Sequence, residues 1–528
     1  MRLMSVTRIS DFVTHFAQQT PHAEAAVFSN MRWSYAELEH RVDALAKALL
    51  AAGVVKGDRV ATMQTPRPEF LSAFLAATSI GAIWVGLNPK YRLAEFHHVI
   101  TDAEPKILLS RTRIGERRYD VDLRTLQDAC PALEHIVVFD NDPLISGAVA
   151  YRDFVLAGAA LPPGDLAAAR MNCGGRDPCL IVYTSGSTGR PKGAVLGHEG
   201  IIAFSRTQNG LWPLDPYRTL NYFPINHVGC VVDITASCLA AGGCLIFQEQ
   251  FDPESSLEAA VSERVTLLGS VPSVFQMQLA VADFERYDLS GLQLIVFEGA
   301  PMPADLIEQL LRLGKNIATN YGMTETTSAI TALEPTRDAE LLTETVGSAF
   351  PGVDIRLIIA DGRVAAAGEV GEVWVRSHYN FLQYWRDTAA TAQAFSPDGY
   401  FRTGDLAVRR PDGRYRLAGR VKEMFKSGGY NVYPREVEIV IEAHPAVTLA
   451  AVVCAPDPLW HEVGIAFVQA NAAIDAADLR QWCAGRLANY KIPKRFRLLP
   501  ALPLLPIGKI DKVALRRLAL ETAIQPSD

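Results

Sequence analysis

The chain is poor in cysteine, and the few it has follow no pattern. Its eight cysteines form no C-x-x-C pair and no Cys/His ligand spacing. That excludes a zinc ribbon and argues against a disulfide framework. Cys230, Cys238 and Cys244 stand in apolar surroundings, as expected of buried thiols in a reduced, cytoplasmic protein. Excess positive charge is absent too. A net charge of −7 and an isoelectric point near 5.9 argue against non-specific nucleic-acid binding. No apolar run is long: the stretch from Ile80 to Leu87 is too short to span a bilayer. Asp11, His15 and Gln18 interrupt the N-terminal region where a signal peptide would need a continuous apolar segment. Nor is there a Walker A loop, G-x-x-x-x-G-K-[ST]. Gly186 and Lys192 fit its spacing, but Pro191 replaces the second Gly and Gly193 the Ser/Thr.

What remains is a globular composition, 49% hydrophobic and 21% charged. A length of 528 residues implies roughly two to four structural units. Ser34-Tyr35-Ala36-Glu37 is a capping box opening an amphipathic helix with Leu38, Val42, Leu45 and Leu49 on one face. Gly53 ends it, and Gly57-Asp58 turns into a strand at Arg59 to Met63. A helix from about Pro68 to Ser79 and an apolar strand follow. Residues 1–170 and 216–300 repeat this alternation, which predicts α/β sheets with helices on their faces. From about 343 to 420 the pattern turns all-β. Asp361-Gly362, Asp398-Gly399 and Asp412-Gly413 punctuate short strands, predicting a small barrel or sandwich. Val437 to Ile441 and Val447 to Val453 read as helix then strand of a last, small α+β unit.

Five stretches carry chemistry. Tyr183 to Gly193, Y-T-S-G-S-T-G-R-P-K-G, follows the strand-like Cys179-Leu180-Ile181-Val182. Its glycines let backbone N–H groups approach phosphate oxygens, its hydroxyls add donors, and its cations offset charge. Asn320 to Thr326, N-Y-G-M-T-E-T, offers a ring that can stack on a base, a hydroxyl for phosphate and a carboxylate for Mg²⁺. Thr403-Gly404-Asp405 places a carboxylate where it can accept two vicinal hydroxyls. Gly419 to Tyr430, G-R-V-K-E-M-F-K-S-G-G-Y, joins the β-rich region to the last unit. The Pro-rich Leu502 to Ile510 closes in Gly508-Lys509; Lys512 is a nearby cation that ranks below Lys509 because no Gly precedes it.

Taken together these stretches resemble the signatures of the adenylate-forming superfamily, which includes acyl-CoA synthetases, peptide-synthetase adenylation domains and luciferases. Thr184 to Gly193 matches [ST]-S-G-[ST]-[ST]-G-x-P-K-G throughout, and the motifs run in family order from 183 to 509. The resemblance implies a large N-terminal domain, residues 1–421, of two αβ subdomains plus the small β-barrel. A mobile α+β domain, residues 422–528, follows. It implies ATP, Mg²⁺ and coenzyme A as cofactors. Thr184, Ser185, Gly186, Ser187, Thr188, Gly189 and Lys192 would hold phosphates, and Glu325 the Mg²⁺. Gly299, Ala300, Pro301 and Asn320 to Thr324 (Tyr321, Gly322 and Met323 between) would surround the nucleotide, with Asp405 on the ribose. Arg420 would lie near ribose and phosphate, and Lys422 would be the pivot between domains. Lys426, Ser427, Gly428 and Gly429 would form the face that admits CoA, and Lys509 would bridge carboxylate and phosphate.

His227 stands at the family's gate between the ATP and acyl sites. The acyl pocket would include Val228, Val271, Phe275, Glu298, Gly299, Thr326 and Ala329. Two departures stand out: Ile507 replaces a usual Ser/Thr, and Glu298 replaces a usual small residue. Glu298 either turns to solvent, the reading slightly favoured, or puts a carboxylate at the cleft edge to favour an acid carrying a donor or positive group.

The implied reaction joins a small carboxylic acid to CoA. The carboxylate attacks the α-phosphorus of ATP, pyrophosphate leaves, and a thiol then attacks the acyl adenylate; no general base for the thiol is evident. Partners are small molecules, with no nucleic acid and no transmembrane segment, and a homodimer is compatible. An amino-acid adenylating enzyme loading a carrier protein is the alternative. Such domains usually place Asp beside the gate, where this chain has Val228, and no carrier domain with a D-S-L phosphopantetheine site appears in these residues. A luciferase-like oxygenase finds no sequence marker. A non-catalytic nucleotide-binding protein is opposed by Lys192, Glu325, Asp405 and Lys509.

Overall fold

A computed structural model describes residues 6–139, 145–184, 190–427, 430–504 and 510–521. The predicted first helix spans Tyr35–Ala51. Its capping box is formed: Glu37 N–H donates to Ser34 Oγ (3.3 Å) and Ser34 N–H to the Glu37 carboxylate (2.8 Å). Leu38, Val42, Leu45 and Leu49 are all buried, as their spacing requires. The strand Arg59–Met63, the helix Pro68–Ser79 and the strand Ile83–Leu87 follow as expected, the two strands parallel. Proline opens that helix at a position whose N–H has no intrahelical acceptor.

Two large mixed sheets, of eight and nine strands, dominate the described residues. In the eight-stranded sheet, Pro178–Thr184 and Lys192–Gly197 form an antiparallel hairpin beside Ile83–Leu87. In the nine-stranded sheet, Arg218–Asn221, Leu267–Ser270, Leu294–Phe297 and Asn316–Gly322 run parallel. Their carboxyl ends therefore open on one side, where ligands of α/β sheets bind. The segments leaving those ends carry His227, Val271, Glu298 and Thr324.

The β-rich region differs from expectation. Asp354–Ile358, Val370–Arg376, Phe401–Arg409 and Tyr415–Arg420 form a four-stranded antiparallel sheet rather than a barrel or sandwich. The region is not all-β: a helix, Thr388–Ala394, interrupts it. Gln383–Tyr384 leaves to pair with the eight-stranded sheet at Ala194. That pairing spans nearly two hundred residues of sequence, so local pattern could not show it. The D-G turns are as expected, with φ of +89°, +83° and +85° at Gly362, Gly399 and Gly413.

Residues 425–519 hold two apolar clusters of their own. The long strand Val447–Asp457 serves both, Ala450 and Val452 facing one and Ala451 and Val453 the other. All eight cysteines are free, and all but Cys454 are buried. Among the described residues no helix is long and apolar enough to cross a membrane.

Candidate active site

The glycine-rich stretch sits on the hairpin. Thr184 and Lys192 face each other as its last cross-strand pair, closing the loop between them. A second strand follows the loop and the helix His198–Leu211 comes only after it, so backbone and side chains, not a helix N-terminus, would meet an anion here. Ser185, Gly186, Ser187, Thr188 and Gly189 lie outside the described residues. Both flanks are anchored. His98 Nε2 lies 2.9 Å from Pro191 O, and Tyr183 OH donates to Asp102 Oδ2 at 2.6 Å.

Glu325 is brought against this hairpin. Its Oε1 accepts from Thr184 Oγ1 (3.2 Å) and from Tyr384 OH (3.0 Å). Burial first, then the Glu325 charge, push the Tyr384 phenol up. Lys192 Nζ lies 5.4 Å from the Tyr384 ring centre and 3.6 Å from Asp387 Oδ2. Tyr384 and Asp387 were missed in the sequence. Tyr384 belongs to a two-residue strand, and the one available signal for Asp387 was a helix N-cap pattern, Asp before Thr-Ala-Ala.

The turn carrying Glu325 is closely packed and hydrogen-bonded. A Cβ on Gly322 would fall 1.8 Å from Ser328 O, so only glycine fits. Thr324–Thr326 is a 3₁₀ turn capped by Thr326, whose Oγ1 accepts from Met323 N–H (3.0 Å). Thr327 adopts φ +65°, costly for a β-branched residue, and its hydroxyl donates to Tyr379 O. Phe381 N–H donates to Glu325 O at 2.8 Å.

Asp405 joins Asn320-Tyr321-Gly322 to the β-rich region. Tyr321 OH donates to Asp405 Oδ2 (2.9 Å), and Arg420 Nε lies 3.0 Å from Oδ1. Asp405, Tyr321 and Asn320 are buried, while Arg420, Gly299, Ala300 and Pro301 are exposed. The Asp405 charge, above all, raises the Arg420 guanidinium, and burial followed by that same charge raises the Tyr321 phenol.

On the acyl side, His227 Nδ1 accepts from Gly229 N–H (3.0 Å), which puts the proton of a neutral ring on Nε2. Glu298 is half-buried, and its Oε1 lies 3.9 Å from where a Gly229 Cβ would be, with His227 Nδ1 3.1 Å from the same point. Its carboxylate therefore faces the His227 segment, which corrects the favoured solvent-facing reading. Val228 and Ala329 are buried and Val271 half-buried. Phe275 belongs instead to the apolar core under its own helix, with Leu268, Leu292 and Ile295. The Thr326 hydroxyl is consumed inside its own turn. Asp233, missed in the sequence, accepts from Ser328 Oγ.

In the segment expected to act as the hinge, Lys422 and Lys426 are exposed and Ser427 is buried in a hairpin strand. Gly428, Gly429, Gly508 and Lys509 lie outside the described residues. Lys512 is no rival for a catalytic role: its Nζ is shared by Glu423 (2.7 Å) and Glu438 (2.8 Å).

Residues 13–385 match the family model of AMP-binding enzymes, and 436–509 that of the AMP-binding enzyme C-terminal domain. A feruloyl-CoA synthase from Amycolatopsis sp is 34% identical over 95% of this chain and 97% of its own. An indoleacetate–CoA ligase from Aromatoleum aromaticum is 32% identical over 97% and 98%. A crystal structure of ATP-bound MatB from Rhodopseudomonas palustris superposes with a TM-score of 0.84 at 30% identity, covering 95% of this chain and 98% of that one.

Proposed function

The chain belongs to the AMP-binding enzyme family and is an ATP-dependent acyl-CoA ligase working through an acyl adenylate; we propose how its residues divide that work. Oxide is too poor a leaving group for a thiol to displace from a carboxylate. Attack of the carboxylate on the α-phosphorus expels pyrophosphate and leaves an anhydride that a thiol can open, releasing AMP. The first step crowds negative charge around one phosphorus, so catalysis is positioning and charge compensation.

The contact that carries the assignment is Thr184 Oγ1 on Glu325 Oε1. It puts a carboxylate at the mouth of the glycine-rich hairpin, with Lys192 beside it. The segment 184–192 would hold the departing phosphates. Glu325 would hold Mg²⁺, which supplies charge compensation to phosphate oxygens. Among the described residues no three His, Cys, Asp or Glu converge on a metal. A cation on Glu325 would thus draw most ligands from phosphate and water, as Mg²⁺ does. Asp405 would hold the ribose, His227 would gate the acyl site, and Lys509 would bridge carboxylate and phosphate during adenylation. Rotation of residues 422–528 about Lys422 would then withdraw Lys509 and bring the Lys426–Gly429 face to CoA. The proposal extends to a cytoplasmic protein with small-molecule partners, supported by its free thiols and its charge of −7.

The test is a carboxylic-acid panel scored for pyrophosphate release and for CoA thioester. Acid-dependent pyrophosphate release coupled to thioester is expected. Pyrophosphate release that never yields thioester with CoA would overturn the CoA half of the reading.

A further inference from the structure

Lys192 already has an anion beside it. Its Nζ lies 3.6 Å from Asp387 Oδ2 and 5.4 Å from the centre of the Tyr384 ring, both longer than a hydrogen bond. The ammonium is therefore aimed but not captured. The side chains of Lys192 and Asp387 are 29% and 40% exposed, so the pair is open to a ligand.

The carboxylate is the fixed partner of the two. Asp387 Oδ1 caps the helix Thr388–Ala394 by accepting from Ala390 N–H at 2.8 Å, which leaves Oδ2 for Lys192. Its carbonyl accepts from Thr391 N–H (3.0 Å) and from Thr391 Oγ1 (2.8 Å). The segment before it is fastened to the hairpin that carries Lys192: Tyr384 pairs with Ala194, and Trp385 N–H donates to Gly193 O at 2.7 Å. Trp385 Nε1 also donates to Asp102 O (3.0 Å), and Arg386, at φ +52°, pairs with Glu104. A residue with a side chain takes that φ where its surroundings impose it. Tyr384 stands between two carboxylates. Lys192 forms its ion pair with Asp387, which leaves Glu325 to the hydroxyls of Thr184 and Tyr384.

We propose that Asp387 is a positioning residue for adenylation: it holds the Lys192 ammonium in the place of a phosphate anion, gives it up when the triphosphate of ATP arrives, and takes it back as pyrophosphate leaves. The inference rests on the reading of Lys192 as a phosphate ligand. A fixed carboxylate beside that lysine competes with phosphate oxygens for one cation. It thereby lowers the affinity for ATP and keeps pyrophosphate from being held as tightly as the lysine alone would hold it.

The experiment titrates ATP with Mg²⁺, and then pyrophosphate in competition with it, into the full-length enzyme and into Asp387→Asn and Asp387→Ser. Both substitutions keep a side-chain acceptor for the helix cap and remove the charge. Each variant should bind both ligands roughly 2- to 5-fold more tightly, the scale of one exposed ion pair. The gain should shrink as salt is raised. In a Lys192→Gln background the same substitutions should lose most of it, because Asp387 acts through Lys192. Unchanged or weaker binding in either variant, or a gain that persists in full without Lys192, overturns the proposal. If Lys192→Gln by itself binds ATP as tightly as the unmodified enzyme, the reading of Lys192 as a phosphate ligand falls, and this inference with it.

Discussion

The hydroxyl of Thr184 donates to Oε1 of Glu325 across 3.2 Å, joining two motifs 141 residues apart. Tyr384 donates to the same oxygen at 3.0 Å. Tyr384→Phe keeps the ring beside Lys192 and removes only that donor. A hydrogen bond to a charged group contributes about 1.5–3 kcal/mol. Adenylation at limiting Mg²⁺ should therefore fall roughly 10- to 100-fold. Thioester formation from preformed acyl adenylate should hold. Mg²⁺ titrations of single-turnover pyrophosphate release provide the check, and an unchanged Mg²⁺ dependence would show that Tyr384 does not support the Mg²⁺ site proposed at Glu325.

Asp405 accepts from Tyr321 and pairs with Arg420, so both its oxygens are oriented before any ribose arrives. Asp405→Ala should weaken ATP binding by about 1.5–3 kcal/mol, the loss of hydrogen bonds to a charged group. In the unmodified enzyme, 2′,3′-dideoxy-ATP should bind correspondingly worse than ATP. Calorimetric titration measures both; equal affinity for the two nucleotides would sink the ribose assignment.

Lys512 joins Glu423, in the segment proposed as the hinge, to the buried Glu438. Burial pushes the Glu438 carboxyl up, but the attractions of Lys512 and then Arg435 together outweigh it and hold the carboxyl below its ordinary range; burial likewise opposes the charge on Lys512, and Glu438 and Glu423 together outweigh it and raise Lys512. Lys512→Met takes from the buried Glu438 one of its two cations, leaving Arg435 at 3.4 Å, and should cost up to about 3–5 kcal/mol. The sign with pH follows from the two directions. The depressed Glu438 contributes stability above the ordinary Glu value of about 4.3, and this is lost as pH falls through the folded value. The raised Lys512 contributes below about 10.4, and this is lost as pH rises through its folded value. Hydrogen exchange in residues 430–504 of both proteins, taken from pH 3 to 8, should show the variant's deficit shrinking toward acid. A deficit independent of pH would assign the loss to packing.

Much of this molecule is legible locally. The capping box at Ser34, the strand at Arg59–Met63 and the D-G turns depend on neighbours a few residues apart, and the structure has them where the pattern predicts. Long-range pairing is what local pattern cannot carry. Tyr384 reaches the site through a two-residue strand that pairs with the eight-stranded sheet, while the rest of the β-rich region forms its own four-stranded sheet. Asp233 had one signal, a lone acid in an apolar run, which periodicity reads as core. Gly508 already sets Lys509 apart from Lys512 in sequence; what the sequence could not show is that Lys512 is held by Glu423 and Glu438, both distant in the chain.

The two half-reactions separate Lys509 from Lys422. Lys509 is proposed to stabilise charge only while carboxylate attacks phosphorus. Lys509→Ala should slow adenylation by on the order of 10²–10³, the scale for losing one preorganised electrostatic group. Thioester formation from preformed adenylate and CoA should be nearly unaffected. Lys422 has no chemical role in this scheme; it is exposed in the turn after Arg420. The hydrogen bonds of that turn come from its neighbours: Val421 N–H to Gly404 O (2.8 Å), and Glu423 and Met424 N–H to Arg420 O (both 3.0 Å). Lys422→Pro spares these bonds while fixing φ, so it should restrict rotation without dismantling the turn. Adenylation should survive in that variant while thioester formation falls. Single-turnover measurement of adenylate and of acyl-CoA in both variants separates the effects. If Lys509→Ala slows transfer from supplied adenylate as much as it slows adenylation, or Lys422→Pro transfers to CoA at the unmodified rate, rotation of the C-terminal residues is not how this enzyme changes reactions.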